Sequence, residues 1–206
     1  MENKKYIALT FDDGPNRAVT PVVLEKLRKY GIVATFFVVG RNITEENAPV
    51  MQEAFDMGCE IENHSQNHLH MDKISKEEIL DEIKKTDDLI EKYTGKKPSF
   101  FRPPFIDVND LMHEIIVHTF ISGICPNDWD QKVTTEETAK GVIETAKDGG
   151  IILLHDSDYN LKTALALDEI IPALLDDGYE FVTISKLFEI FNKSNKKGTV
   201  YHNIND

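Results

Sequence analysis

The sequence predicts a single α/β domain in which about seven parallel strands alternate with helices and form a barrel. Short apolar runs rich in β-branched and aromatic residues alternate with amphipathic stretches from one end of the chain to the other. Acidic residues and histidines cluster directly after several of these runs. That order is typical of barrels whose active site is built from loops at the carboxyl ends of the strands.

The individual elements follow from the spacing of apolar residues. Seven short apolar runs predict strands at residues 6–11, 34–39, 60–63, 100–101, 120–124, 151–154 and 180–184. Helical spacing predicts helices at residues 21–30, 46–57, 76–93, 108–118, 136–147 and 164–176. Ser75 followed by Glu78 predicts a capping box at the start of the third helix. Glycines stand where helices should end, at Gly31, Gly58, Gly95, Gly149 and Gly178.

Length and charge limit the classes of protein to consider. With 206 residues, 41% of them hydrophobic, the chain can bury one core, and we expect residues 1–191 to form one domain. Residues 192–206 are mostly polar and predict a loose tail. The net charge of −13 argues against a nucleic-acid partner and favours a neutral polymer or a small substrate. No apolar run approaches the ~20 residues of a membrane span, so no membrane partner is expected.

Two cysteines, Cys59 and Cys125, are too few for a disulfide scaffold or a zinc cluster, and both are expected to be reduced thiols. The chain opens without a basic segment followed by an apolar one. We expect a soluble monomer, which is secreted or associated with the cell wall if a signal peptide has been removed, and otherwise cytoplasmic.

Two adjacent carboxylates, Asp12 and Asp13, follow the first predicted strand and precede a Gly14-Pro15 break. Adjacent acids repel each other, so a fold tolerates them mainly where a cation or a proton transfer gives them separate roles. We assign Asp13 as a metal ligand and Asp12 as the general base that takes a proton from a metal-activated water. The alternative is a plain turn, because Asp-Gly-Pro also suits turns.

Two histidines, His64 and His68, lie four residues apart after the third predicted strand. One helical turn would aim both imidazoles at the same point. A carboxylate and two histidines form a ligand set for zinc or a similar divalent ion that leaves positions open for water and substrate. The alternative is a solvated helix face, and the neighbouring His70 is left out of the ligand set.

Arg102 follows the fourth predicted strand and precedes two prolines and Phe105. In the functional interpretation, Arg102 pairs with Asp12 and keeps it ionised and oriented. The backbone N–H of Phe105 then points at the oxyanion that forms on a substrate carbonyl. A surface salt bridge next to a rigid turn is the alternative.

Two further clusters follow the next two predicted strands. Asp128 precedes Trp129, the only tryptophan, whose indole would line a site for acetyl methyls and sugar faces or would simply belong to the core. His155 follows a buried apolar run. If Asp128 hydrogen-bonds the far ring nitrogen of His155, this histidine stays protonated and acts as general acid for the leaving group. A structural histidine is the alternative.

Taken in order, these motifs resemble the five motifs of the polysaccharide deacetylase family, the family 4 carbohydrate esterases with NodB homology. They are Thr10-Phe11-Asp12-Asp13-Gly14-Pro15, His64-Ser65-Gln66-Asn67-His68, Arg102-Pro103-Pro104-Phe105, Asp128-Trp129 and Leu153-Leu154-His155. The resemblance implies a distorted (β/α) barrel with fewer than eight strands and a catalytic domain over residues 1–191. It also implies hydrolysis of acetyl groups on acetylated sugars and one divalent metal ion at Asp13, His64 and His68. Zinc is expected, with cobalt or nickel as alternatives.

Two positions depart from the pattern of the family. Phe105-Ile106 replaces the usual Tyr-Gly, which keeps the backbone donor but loses a phenol hydroxyl, and Cys125 replaces a frequent aspartate. The stretch 123–129 is similar to acetylxylan esterase members. The expected substrates are therefore acetylated carbohydrates, either polymers of N-acetylglucosamine such as chitin oligosaccharides or peptidoglycan, or acetylated xylan. The alternatives are an esterase for O-acetyl groups only and a non-catalytic carbohydrate-binding barrel.

Overall fold

Eight short strands form one curled parallel sheet in the computed structural model, which describes residues 4–206. They are β1 (Lys5–Asp12), β2 (Thr35–Val38), β3 (Glu60–Asn63), β4 (Phe100–Phe101), β5 (Thr119–Ile121), β6 (Gly150–His155), β7 (Tyr179–Phe181) and β8 (Val200–Tyr201). The order across the sheet is β6-β1-β2-β3-β4-β5-β8, and β7 pairs with the first half of β1. The predicted distorted α/β barrel is confirmed; the seven predicted strands correspond to β1–β7, and the two-residue β8, which was not predicted, raises the number to eight.

Seven helices surround this sheet. They are α1 (Thr20–Tyr30), α2 (Ala48–Asp56), α3 (Lys76–Thr94), α4 (Asp110–Ile115), α5 (Thr135–Thr145), α6 (Leu161–Asp176) and α7 (Ile184–Ile190). The predicted capping box at Ser75 and Glu78 is present at the start of α3, where each side chain accepts the backbone N–H of the other residue. Gly95 ends the same helix with φ of 71°, a left-handed conformation that glycine adopts without steric cost.

The register of the strands brings their carboxyl ends to one edge. Asp12 at the end of β1 lies opposite His155 at the end of β6 and opposite Phe37 in β2. Asn63 at the end of β3 lies opposite Phe101 at the end of β4. Residues that directly follow these five strands therefore meet at the same edge of the sheet.

The curl of the sheet joins its two sides near this edge. Ile124, just after β5, forms a parallel bridge with Ile152 in β6. Its N–H donates to the carbonyl of Ile151 at 2.8 Å, and its carbonyl accepts the N–H of Leu153 at 3.0 Å. The loop after β5 is thus fixed beside the loop after β6.

Alternate residues of β1 support two different cores. Ile7, Leu9 and Phe11 are fully buried and pack with residues of α1 and α6 on the outer face. Ala8 belongs to a second cluster inside the barrel that includes Phe37 and several residues of α7. Each fully buried Leu, Ile or Phe stabilises the fold by about 1.5–3 kcal/mol, so these two cores stabilise the scaffold behind the site.

The strand predicted over residues 180–184 is wrong in its second half. The strand ends at Phe181, and α7 begins at Ile184 with Thr183 as its N-cap. The side chain of Thr183 accepts the N–H of Lys186. Thr183, a β-branched residue in an apolar run, is therefore a helix N-cap, and threonine is strongly preferred at that position.

The tail predicted over residues 192–206 is not uniformly loose. Val200 and Tyr201 form β8, which pairs with β5, and Tyr201 and Ile204 are buried. The residues before this strand are polar, and two residues alone are too few to form a pattern that predicts a strand.

Among the described residues no helix has the length and apolar character needed to cross a bilayer.

Candidate active site

A cavity of about 470 Å³ opens at the carboxyl edge of the sheet. The predicted site residues in its wall are Asp12, Asp13, His64, His68, Phe105, Trp129 and His155. These residues come from loops or strand ends distributed along nearly the whole chain. Arg102 and Asp128 lie buried behind the cavity and contact Asp12 and His155 respectively.

Arg102 forms the predicted pair with Asp12. The guanidinium is fully buried, and its Nη1 donates to Oδ1 of Asp12 at 2.5 Å and to the hydroxyl of Thr10 at 2.8 Å. Nη2 donates to the carbonyl of Ser122 at 2.7 Å, and the guanidinium lies 4.0 Å from the centre of the Phe37 ring. Burial lowers the pKa of Arg102, while the charge and hydrogen bond of Asp12 raise it. Asp12 is thereby oriented and charge-paired.

Asp13, His64 and His68 converge on one point. Oδ1 of Asp13 lies 3.7 Å from Nε2 of His64 and 3.5 Å from Nε2 of His68. The three potential ligand atoms all lie within 4.8 Å of one another. One carboxylate and two imidazoles at this spacing fit a divalent ion of the zinc or cobalt type and leave further positions free.

The second nitrogen of His64 fixes its tautomer. Nδ1 of His64 lies 2.7 Å from the carbonyl oxygen of Arg102, which can only accept, so Nδ1 carries the proton and Nε2 presents its lone pair to Asp13. Backbone or carboxylate partners of this kind are the usual support of a metal-binding histidine. The hydrogen bond between His64 and the Arg102 carbonyl therefore supports His64 as a candidate metal ligand.

The pKa values of the other two candidate ligands, His68 and Asp13, also favour the forms that bind metals. Burial, with the nearby His64 imidazole, lowers the pKa of His68 to about 4. Burial raises the pKa of Asp13, but the histidines and a hydrogen bond from Ser157 outweigh it, and the net pKa of Asp13 is lowered. Neutral imidazole and ionised carboxylate are the forms that bind metals.

The expectation that the two histidines share a helical turn is wrong. Residues 64–68 form a loop in which Ser65 and His68 have φ of 65° and 55°. The Ser65 hydroxyl accepts the N–H of His68 at 3.0 Å and closes this loop. The imidazoles converge because the loop turns back on itself. His70 lies outside the ligand group and pairs with Asp107.

Asp128 and His155 form the predicted dyad on the opposite wall of the cavity. Nδ1 of His155 lies 2.9 Å from Oδ1 of Asp128, which is fully buried. Burial lowers the pKa of His155, but the hydrogen bond and charge of Asp128, with the charges of Asp12 and Asp13, raise it to about 9. The imidazole is therefore protonated at neutral pH, as a general acid requires.

Phe105 and Trp129 stand at the mouth of the cavity, 54% and 53% exposed. Phe105 has φ of 59°, and its ring contacts His68 edge-on at 4.7 Å and stacks on His70 at 3.9 Å. No described residue accepts its backbone N–H. This N–H is thus free for a ligand, and the exposed indole of Trp129 is not a core residue.

Sequence reasoning missed Asp156 and Tyr159. Asp156 is fully buried, and its carboxylate accepts the N–H of Gly14 at 3.1 Å and the hydroxyl of Thr20 at 2.5 Å. Burial raises its pKa to about 7. A Cβ on Gly14 would lie 2.6 Å from this carboxylate, so a glycine is required there. The only available signal was the position of Asp156 directly after His155.

Tyr159 is 62% exposed and lines both the first cavity and a neighbouring polar one of about 420 Å³. An exposed tyrosine in a loop carries no sequence pattern that would single it out.

Both cysteines are free thiols, as predicted. Cys125 lies in the cavity wall, where burial, followed by the charge of Asp128, raises its pKa to about 11.

Comparisons with known proteins find relatives that are similar to this chain over most of its length. The family model described as polysaccharide deacetylase matches residues 1–120. A bifunctional xylanase/deacetylase of Pseudobutyrivibrio xylanivorans is 43% identical over 92% of the chain, which spans only 31% of that relative's length. A peptidoglycan-N-acetylglucosamine deacetylase of Bacillus cereus is 36% identical over 90% of the chain and 89% of the relative.

A solved structure with a metal ion is also similar. The family 4 acetyl xylan esterase from Clostridium thermocellum, in complex with a cobalt ion, has a TM-score of 0.94 and 39% identity. The match covers 97% of this chain and 99% of the esterase.

Proposed function

The chain belongs to the polysaccharide deacetylase family, and on that premise we propose that it is a metal-dependent hydrolase that removes acetyl groups from acetylated carbohydrate polymers. The observation that carries the proposal is the different surroundings of two adjacent acids. Asp13 lies close to both histidines, whereas Asp12 is paired with Arg102 through one oxygen and has its other oxygen 3.7 Å from Nε2 of His64 alone.

A divalent ion bound by Asp13, His64 and His68 would act as a Lewis acid on the acetyl carbonyl and make a water molecule more acidic. The cobalt ion in the similar esterase supports this ion class. Zinc is our first choice for the natural ion.

The chain's own residues account for the proton transfers. Asp12 accepts a proton from the attacking water, because its carboxylate lines the cavity and Arg102 keeps it oriented from behind. His155 starts protonated and donates its proton to the departing amine or alkoxide. The free N–H of Phe105 donates a hydrogen bond to the carbonyl oxygen as negative charge develops on it.

The substrate is argued from the cavity and from the relatives. Exposed aromatic side chains, Phe105, Trp129 and Tyr159, suit the apolar faces of sugar rings and acetyl methyls. Relatives are named for xylan and for peptidoglycan. We propose acetylated xylan and N-acetylglucosamine polymers as the two candidate classes, with ester and amide cleavage both within the chemistry of the site.

Acetate release tests the proposal. The purified chain is incubated with acetylated xylan, chitin oligosaccharides and peptidoglycan, after chelation and after addition of zinc or cobalt. We expect release on at least one substrate, loss with chelator and recovery with the ion. A protein that binds the ion but hydrolyses neither these polymers nor a chromogenic acetyl ester would instead be a carbohydrate-binding barrel.

A further inference from the structure

Each of the two ligand histidines is directly preceded by an asparagine, and α3 holds both asparagines. Asn67, before His68, donates its backbone N–H to Oε2 of Glu82 at 2.7 Å and its side-chain amide to Oε1 at 2.5 Å. Asn63, before His64, donates its side-chain amide to Oδ1 of Asp87 at 2.6 Å. Helix α3 therefore fixes the residue that directly precedes each of the two histidines.

Glu82 is an unusual residue for a purely structural contact. It is only 5% exposed, and among the described residues no Lys, Arg or His forms an ion pair with it; the lysines of the same helix, Lys84 and Lys85, pair with Asp88 and Asp81. Both carboxylate oxygens are used by Asn67 alone. A buried carboxylate is costly unless its charge serves a purpose or is compensated. A cation at His68, one residue beyond Asn67, would provide that compensation.

Asp87, in the next turn of α3, connects Asn63 to a histidine. Its second oxygen lies 3.1 Å from Nε2 of His118, which is itself buried. The carbonyl oxygen of the Asn63 side chain accepts the N–H of Ser65 at 2.7 Å. These contacts thus extend from His118, directly before β5, through Asp87 on α3 to Ser65, whose hydroxyl accepts the N–H of His68.

The conformation of the loop shows why such anchors matter. Ser65 and His68 both have left-handed φ values, which cost non-glycine residues free energy and persist only when neighbouring groups fix them. Both peptides that flank the Asn67 side chain are fixed. Glu82 accepts the N–H of Asn67, and Arg41 donates to the Asn67 carbonyl at 3.2 Å.

We propose that Glu82 and Asp87 are positioning residues for the metal site, preorganising His68 and His64 for the ion and adding negative charge behind them. The proposal rests on the metal-dependent function proposed above. Groups that hydrogen-bond metal ligands directly typically change metal affinity by about 10–100-fold when they are removed. Glu82 and Asp87 act through the asparagines that precede the ligands, so we expect the lower end of this range.

Cobalt(II) binding to the full chain tests the inference. The metal-stripped protein is titrated with cobalt(II) alone, followed by visible absorption and calorimetry. We expect Glu82→Ala to weaken cobalt binding by about tenfold and to alter the absorption spectrum, with Asp87→Asn acting in the same direction. Glu82→Gln keeps the volume and one acceptor and tests the same point if the alanine variant does not fold.

The control is Asp81→Ala on the same helix, where the exposed Asp81 pairs with Lys85 and not with the loop. It should bind cobalt like the unmodified chain. A lower melting temperature of Glu82→Ala and Glu82→Gln with unchanged cobalt affinity would overturn the inference, since the role would then be structural. An unmodified chain that binds no cobalt would overturn both this inference and the proposed function.

Discussion

Asp128 holds His155 at two points. Oδ1 of Asp128 lies 2.9 Å from the ring Nδ1, and Oδ2 accepts the backbone N–H of His155 at 2.8 Å. The hydroxyl of Thr163 also donates to Oδ2 at 2.8 Å, so the carboxylate is fixed from the α6 side. Ring orientation, tautomer and charge of His155 therefore all depend on this one buried acid.

Asp128→Asn is expected to move the alkaline limb of the pH-rate profile toward lower pH. His155 works as an acid only while protonated, and the hydrogen bond and charge of Asp128, with the charges of Asp12 and Asp13, raise its pKa to about 9. Removing that charge lowers the pKa, so activity is lost at a pH lower by at least about one unit. Measuring kcat/KM on an acetyl ester from pH 5 to 10 tests this. An unchanged alkaline limb would assign the acid role to another group.

Asp12→Asn should abolish turnover and leave metal binding intact. The amide keeps an oxygen for Arg102 but cannot accept a proton, so kcat should fall by about 10²–10⁴-fold. Metal content by atomic emission and kcat on the same preparation are the two measurements. Full activity in the variant would refute the assignment of Asp12 as base. Loss of the ion would show that Asp12 is a ligand.

Arg102→Lys should not preserve function despite its positive charge. The guanidinium bonds Asp12 and Thr10 on one side and Ser122 on the other, and one ammonium cannot span these partners. A buried polar group left unsatisfied costs about 1–3 kcal/mol. We expect at least that loss in urea unfolding and a fall of more than about tenfold in kcat.

The exposed Arg28 offers a matched control for this variant. It pairs with Glu53 on the surface, so Arg28→Lys should stay within about 0.5 kcal/mol of the unmodified chain. If Arg102→Lys behaves like this control, the buried pair does not orient the base.

The ends of the strands, and the acidic residues and histidines at or after those ends, could be predicted from the sequence because both leave local patterns. Asp12, Asp13 and His155 lie at or beside the ends of short apolar runs, and these runs are strands in the fold. The ligand assignment of His64 and His68 agrees with their convergence on Asp13, yet the helical geometry behind it was wrong. Spacing alone cannot tell a helical turn from a loop that returns on itself.

Other features depend on contacts between distant residues and leave no local pattern. β8 consists of two residues whose strand conformation comes from pairing with β5. Asp156 matters because it receives the N–H of Gly14, 142 positions away in sequence. Glu82 looks like any helical glutamate until the loop of Asn67 is placed beside it.

Removal of any one ligand residue should lower both metal affinity and the metal-dependent part of the stability. In His68→Ala one of three ligand groups is lost, and Asp13→Ala also removes the only carboxylate of the set. A ligand present at 100 times its Kd stabilises the folded state by about 2.7 kcal/mol. Thermal unfolding with and without zinc should show this gain for the unmodified chain only. A gain of equal size in both variants would place the ion elsewhere.

A second buried acid, Glu62, provides a test of stability rather than of catalysis. Burial and the neighbouring Glu60 raise the pKa of Glu62 well above its ordinary value. One of its oxygens accepts the N–H groups of Ser99 and Phe100 at 2.8 and 2.7 Å, while Oε1 has no partner among the described residues. The folded state therefore favours the neutral acid.

Glu62→Gln should stabilise the metal-free protein at alkaline pH and have little effect at acidic pH. A carboxyl group whose pKa is raised by folding contributes its stability fully below its unfolded pKa and loses it as pH rises through the folded value. Glutamine keeps the accepting oxygen and cannot ionise. The free energy of unfolding in urea should differ by less than about 0.5 kcal/mol near pH 4 and by about 1 kcal/mol or more near pH 9. The exposed Glu169, changed to Gln, is the control and should show no such trend. If the two variants respond alike, Glu62 is ionised in the folded barrel.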